Sequence, residues 1–322
     1  MDWLQVTIYT TTAGIEPVSG RLYQLGITGL EIEDESDFLD FLENNKQYWD
    51  YVDDELRQEK SGETCVKAYV SDNASGHEML IEIKNTLREL KEYDKDGEFG
   101  RLEISLGNLT EEDWANNWKK YFHVMPIGEK ILIKPEWEEL TEPTDRIVFN
   151  INPGMTFGTG SHYTTQLCIE SLEKVITEDT EMLDLGCGSG ILSVISLMLG
   201  AKSASAVDID PNCVHIAYEN AQRNNVDKDK YRVLAGNILE DEKLKNQIGD
   251  KKYDVVVANI VADVIIAFAP VVTEFIKKGG TFITSGIIID RADEVKSVLE
   301  ENGFKNLVMT QRKDWVSIKC EY

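Results

Sequence analysis

The chain is short of the residues that staple or metallate small proteins, with five cysteines and four histidines in 322 residues. Cys65, Cys168, Cys187, Cys213 and Cys320 are scattered, odd in number and form no Cys-x-x-Cys pair. That pattern argues against a disulfide framework and a structural zinc site, and the histidine count against any resident metal. Basic residues are also scarce: 33 Lys and Arg stand against 58 Asp and Glu, a net charge of −25. Holding a phosphate backbone needs a basic face, so direct nucleic-acid binding is not expected, and a macromolecular partner should itself be basic. Long apolar runs are missing. The most apolar stretch, residues 255–272, is broken by Asn259, Asp263 and Pro270, and no basic residue leads an apolar segment near Asp2. Neither a signal peptide nor a membrane span is expected, which places the protein in the cytoplasm.

What is present is enough apolar material, 42% of residues, to fill about two domains. Residues 1–95 hold 21 acidic and 9 basic side chains, a surplus of −12, which marks a separate unit. Its pattern reads as a strand at Trp3, Val6 and Ile8, a helix near 22–25 and a strand at 29–32. A second cycle follows: a strand at 64–70, an amphipathic helix at 78–90 with Leu80, Ile83, Leu87 and Leu90 on one face, and a strand at 101–106. The order β-α-β-β-α-β predicts a ferredoxin-like α+β domain over residues 1–108. Residues 31–55 carry eleven acids and only Lys46 in return, an expected exposed segment suited to solubility or to docking a basic protein. A helical connector is expected over 109–122, where Thr110 and Asp113 form a capping box and Trp114 and Trp118 lie one turn apart.

Residues 123–322 form the second expected domain. After strands at 130–133 and 146–150 on either side of a polar turn, short apolar strands at 182–185, 204–207, 231–234, 254–258 and 280–285 alternate with helices near 191–199, 212–224, 262–276 and 291–302. Continuous apolar strands between helices predict a doubly wound α/β sheet covered on both faces. Strands at 306–310 and 315–320 follow the last helix directly and should form an antiparallel edge. A monomer is the expected state.

The strongest local signal is Met182-Leu183-Asp184-Leu185-Gly186-Cys187-Gly188-Ser189-Gly190-Ile191, a strand running into a glycine-rich turn and a helix. Glycines there let backbone amides approach a nucleotide-like cofactor at a helix N-terminus. The dinucleotide fingerprint G-x-G-x-x-G/A is not met, because the third glycine comes one residue early and Ile191 fills the small position, which weakens a nicotinamide-cofactor reading. The spacing D-x-G-x-G-x-G is that of doubly wound S-adenosylmethionine-dependent methyltransferases, in which Asp184 would orient the loop and the methionine end of the cofactor. The next strand ends in Asp208, twenty residues after Gly188, where a carboxylate accepts from ribose hydroxyls. Upstream, Phe157, Gly158, Thr159 and Gly160 suggest a loop folded closely over a ligand, with Thr164 and Thr165 where a helix starts. Asn259 ends the fourth strand of the sheet and so shares the crevice with Gly186 and Asp208. No Pro-Pro-aromatic follows it, which favours an aliphatic amine over a planar acceptor.

Together these elements resemble the methyltransferase family of large-subunit ribosomal protein L-eleven, or L11 (PrmA). The resemblance runs through Glu111 to Phe122, Pro153 to Thr165, the glycine turn, Val207 to Pro211, Val256 to Ala262 and Ser285 to Ile287. It implies that Thr165, Gly186, Asp208 and Asn259 bind S-adenosylmethionine, with 157–160 closing over it. It also implies that the small domain holds L11 while lysine ε-amines and the N-terminal α-amine are methylated. Tyr163 and Thr156 depart from the family pattern, at the loop's outer wall. Asn259 is the candidate catalytic residue, orienting the acceptor nitrogen. His162 is read as a capping residue rather than a general base. The alternatives are methylation of another basic protein or of RNA.

Overall fold

The computed structural model describes residues 3–27, 29–34, 63–107, 122–152 and 160–322. The chain divides into two compact units, Met1–Tyr121 and Phe122–Tyr322. Among the described residues no helix is long and apolar enough to cross a membrane.

The first unit contains β1 (Trp3–Tyr9), α1 (Ile15–Gln24), β2 (Leu30–Glu33), β3 (Cys65–Ser71), α2 (Ala74–Tyr93) and β4 (Glu103–Leu106). The described strands pair antiparallel in the order β2-β3-β1-β4, with α1 and α2 between them in sequence. Alternation on β1 buries Val6 and Ile8 against Val66 and Ala68 of β3, while Leu80, Ile83, Leu87 and Leu90 of α2 close the core at helical spacing. Each such aliphatic side chain contributes about 1.5–3 kcal/mol on burial. The acidic run proves to begin inside β2. Glu31 and Glu33 face Lys67 across the β2–β3 pairing, and Asp34 accepts hydrogen bonds from Thr12 and Thr64. Those three acids are therefore engaged locally; residues 35–55 and the 109–121 connector, with Trp114 and Trp118, lie outside the described residues.

The second unit opens with β5 (Met125–Ile127), β6 (Ile131–Pro135) and β7 (Ile147–Ile151), a small sheet of its own. The strands on either side of the polar turn, β6 and β7, run parallel; β5 supplies the antiparallel partner. Its three residues are too few to register as a period. This sheet is tied to α3 (Tyr163–Val175) by buried Glu173, whose carboxylate accepts the backbone N–H groups of Glu129, Lys130 and Ile131 at 2.8–3.0 Å.

The main sheet comprises β8 (Glu181–Leu185), β9 (Ser203–Asp208), β10 (Tyr231–Ala235), β11 (Tyr253–Asn259), β12 (Ile276–Ile288), β13 (Lys305–Arg312) and β14 (Trp315–Glu321). Its order is β10-β9-β8-β11-β12-β14-β13, parallel except that β14 runs antiparallel to both β12 and β13. The helices are α4 (Ile191–Met198), α5 (Asn212–Arg223), α6 (Glu242–Ile248), α7 (Ala262–Phe275) and α8 (Ala292–Glu301). Continuous apolar strands divide their side chains between two cores. Met182, Val255 and Val257 enter one with Ile131, Phe149 and Leu172, while Leu183, Val256 and Ala258 enter the other with Phe268, Val272 and Leu299. Period-two alternation across a doubly covered sheet produces that division. Short α6 is absent from the sequence pattern, although Asp241 marks its start by accepting from the N–H groups of Lys243 and Leu244.

Candidate active site

Between β8 and α4 the chain turns through Gly186, Gly188 and Gly190, with φ of +75°, +50° and +74°. Side-chain-bearing residues rarely adopt this region. A Cβ at Gly190 would lie 2.6 Å from the Tyr231 hydroxyl and 2.8 Å from Ala217 Cβ, so space forbids it too. The N–H groups of Gly186 and Cys187 both donate to the Val207 carbonyl at 2.8 and 3.1 Å, fastening the turn to β9. Gly188 N–H donates instead to Asp208 Oδ2 at 2.7 Å, and Asp210 N–H to Asp208 Oδ1 at 3.0 Å. The Cys213 thiol is a third donor to this carboxylate, which leaves one of its four lone pairs for a further donor such as a ribose hydroxyl. Burial pushes the Asp208 carboxyl above its usual range, opposed by the amides of Asp210 and Gly188.

Asp184 stands behind the turn. It is 1% exposed, its Oδ2 accepts the Ser193 hydroxyl at 2.6 Å, and its Oδ1 has no hydrogen-bond partner among the described residues. Burial raises its carboxyl to about 7. A left-handed glycine cradle, a carboxylate with a lone pair still open at the next strand end and a buried acid with one unpartnered oxygen beneath them fit a polar cofactor with a ribose and a cationic end. The residues that would hold it are Gly186, Gly188 and Asp208.

Asn259 ends β11. A Cβ on Gly186 would meet Ile260 Cγ2 at 2.6 Å, so the glycine turn and the Asn259 strand end are in contact. Gly286, at φ +86°, brings β12 so close that a Cβ would sit 2.4 Å from the Ile260 carbonyl; Ile260 N–H donates to the Ser285 carbonyl at 3.0 Å. The Asn259 side-chain Nδ2 donates to Thr165 Oγ1 at 3.2 Å. Thr165 and Thr164, 1% and 2% exposed, lie in the first turn of α3. His162 caps that helix, its Nδ1 accepting Thr164 N–H, and burial lowers its pKa, which keeps the ring neutral. At Gly160, φ is +87° and a Cβ would lie 3.2 Å from Ile133 Cγ1 and 3.3 Å from Ile191 Cδ1, so the position admits little beyond hydrogen. Phe157, Gly158 and Thr159 lie outside the described residues.

Sequence reasoning does not find the residues that hold α3 from the far edge of the sheet. Arg312 donates to Gln166 Oε1 at 2.7 Å and to Glu170 at 3.0 and 3.2 Å. The Trp315 ring meets His162 edge-on at 4.9 Å, and Lys313 lies 4.9 Å from the Tyr163 ring centre. No local pattern signals contacts across some 150 positions. Gly236 and Asn237 at the end of β10 also escape it, although Gly236 N–H donates to the Asp208 carbonyl and so sets that strand end level with the carboxylate.

The sheet order, the glycine turn, the carboxylate ending β9 and the asparagine ending β11 define an S-adenosylmethionine-dependent methyltransferase of the doubly wound class. The family model for Ribosomal protein L11 methyltransferase (PrmA) matches residues 2–322, and the chain belongs to that family. It is 40% identical over 318 residues to the Ribosomal protein L11 methyltransferase of Alkaliphilus oremlandii, covering 99% of this chain and 98% of that one. It is 42% identical over 335 residues to the protein of the same name from Agathobacter rectalis, covering 100% and 99%. The crystal structure of a ribosomal protein L11 methylase from Lactobacillus delbrueckii subsp. bulgaricus superposes with a TM-score of 0.56 at 29% identity, covering 62% of this chain and 98% of that one.

Proposed function

We propose that the protein transfers methyl groups from S-adenosylmethionine to lysine ε-amines and the N-terminal α-amine of ribosomal protein L11, acting as a cytoplasmic monomer on the protein rather than on nucleic acid. The observation that carries the choice of acceptor is the end of β11. Asn259 is fixed beside the glycine turn and is followed by Ile260, Val261 and Ala262, with no aromatic to stack a planar group. When bound, S-adenosylmethionine supplies an electrophilic methyl on a sulfonium. Asp208 would hold the ribose, and the turn, which carries no side chain at Gly186 and Gly188, would let the cofactor lie close against the backbone.

A lysine with pKa about 10.4 is neutral in only about 1 in 2,500 molecules at pH 7, equivalent to about 4.6 kcal/mol of barrier. No side chain in the crevice has to take that proton. His162 is spent on capping α3 and packs against Trp315. A cationic, poorly hydrated site lowers the amine's own pKa, and Asn259 Oδ1 accepts an amine N–H so that the lone pair points at the methyl. The acidic surplus of residues 1–95 suits a basic ribosomal protein held while cofactor is exchanged.

The test is peptide mass analysis of unmethylated L11 after incubation with the protein and S-adenosylmethionine. Mass steps of one methyl at lysines and the N-terminus, absent with Asp208→Ala, are expected. No gain on L11 while S-adenosylhomocysteine still binds would remove L11 as the substrate and leave the fold and cofactor standing.

A further inference from the structure

Resting on the amine-acceptor reading above, we propose that the edge of the second unit just past β11 and β12 is a docking rim for the basic segment of the substrate protein that carries the target amine. Val261, Ile288 and Ile289 seat an apolar side chain of that segment, and the acids around them hold its lysines or arginines. Among the described residues of the second unit seven large apolar side chains are exposed, and four of them, Ile209, Val261, Ile288 and Ile289, stand at or just past the carboxyl ends of β9, β11 and β12. Ile209 follows Asp208 on the cofactor side. The other three, 57%, 49% and 40% exposed, lie on adjoining chain segments. The Ile260 N–H bond to the Ser285 carbonyl and the approach of Gly286 to Ile260 set the two strand ends side by side. Arg291, at the end of the turn Ile289–Arg291, reaches Asp263 Oδ1 in the first turn of α7 at 2.8 Å, and Ile289 N–H donates to the Asp314 carbonyl at 2.9 Å. Val261 also occupies the N-cap position of α7 and makes no capping hydrogen bond, although a small polar residue there would favour the helix.

Charge selects the occupant. Single exposed aliphatics need no explanation, but several on adjoining segments, rimmed by charge, have the make-up of an interaction surface. Around these three stand the exposed acids Asp263, Asp290, Asp293, Glu294 and Asp314, answered only by Arg291 and Lys313. Both bases are already engaged, Arg291 between Asp263 and Glu294 and Lys313 over the Tyr163 ring. The acidic surplus therefore faces outward. A phosphate backbone is repelled by it, and a second copy of this chain would set the same acids against each other. A basic polypeptide gains on both counts, since its cations meet the acids while an apolar neighbour covers the aliphatics. The rim begins two residues after Asn259, so a segment seated on it has its amine within reach of that side chain.

The test uses the full chain with unmethylated L11 as acceptor at saturating S-adenosylmethionine. Val261→Ser supplies the missing helix cap, so Tm should hold or rise while kcat/KM for L11 falls about fivefold. Ile289→Ser should cost about as much and the double variant about twentyfold, with the Kd for S-adenosylhomocysteine held within about twofold throughout. Asp290→Lys combined with Asp314→Lys should lower kcat/KM about tenfold at about 50 mM salt and less than about twofold at about 0.5 M, because exposed charges are screened. Unchanged kcat/KM in these variants, a loss matched by weaker S-adenosylhomocysteine binding, or a charge-reversal loss that salt does not reduce would each overturn the proposal. Absence of wild-type turnover on L11 would overturn the substrate reading and the occupant named here with it; wild-type turnover that the rim variants leave intact overturns the rim alone.

Discussion

Backbone groups do most of the holding between β8 and β9, whereas side chains from distant segments do it beside β11. On the cofactor side, three left-handed glycines and the carboxylate of Asp208 lie within residues 186–208, and the turn is closed by main-chain hydrogen bonds to Val207. On the proposed acceptor side, a single hydrogen bond joins Asn259 to Thr165, and the helix carrying Thr165 is steadied by Arg312 and Trp315. The first half is local and held by main-chain groups, with side-chain identity entering at Asp208 and at the glycines, which must carry none. The second depends on tertiary folding to bring its parts together.

The comparison can be broken most sharply at Asp208. Asp208→Ala removes the proposed ribose acceptor and strips Gly188 and Asp210 of their partner, so S-adenosylhomocysteine affinity measured by calorimetry should fall at least about 100-fold. Gly190→Ala comes next. A methyl group forced against Tyr231 and Ala217 at positive φ should destabilise the second unit by about 1–3 kcal/mol and weaken cofactor binding in parallel, both readable by thermal shift with and without ligand.

Asp184→Asn gives the smallest effect and the most specific signature. The folded carboxyl titrates at about 7 against an ordinary value of 3.8, so the folded state holds the proton more tightly than the unfolded chain does. Its stabilisation is full below the ordinary value and is lost as pH rises toward about 7. The variant has no such loss. The difference in Tm, variant minus wild type, should therefore rise from about pH 5 to about pH 8 and then level off; a flat difference would place the charge elsewhere.

The same contrast explains what is legible in the sequence. Contiguous signals are readable: the glycine turn, Asp208 at the expected strand end, Asn259 at the end of β11, and the alternation that divides β8 and β11 between two cores. The edge strands β13 and β14 are also readable, because they follow α8 without a helix between them. What stays hidden is short or long-range. The three-residue β5 and the seven-residue α6 are too brief for periodicity to stand out, and Glu173 gathering three amides of the β5–β6 turn has no sequence mark. The grip of Arg312 and Trp315 on α3 depends on β14 lying between β12 and β13, which no local pattern states.

The separation of the two halves is tested most directly by Asn259→Ala, assayed for both S-adenosylhomocysteine affinity and single-turnover methylation of L11. A fall in turnover of about 100-fold with affinity changed by less than about threefold is the predicted result, because the orienting oxygen is lost while the glycine turn and Asp208 remain. Matched losses in affinity and turnover would contradict it and make Asn259 one more part of the cofactor's hold.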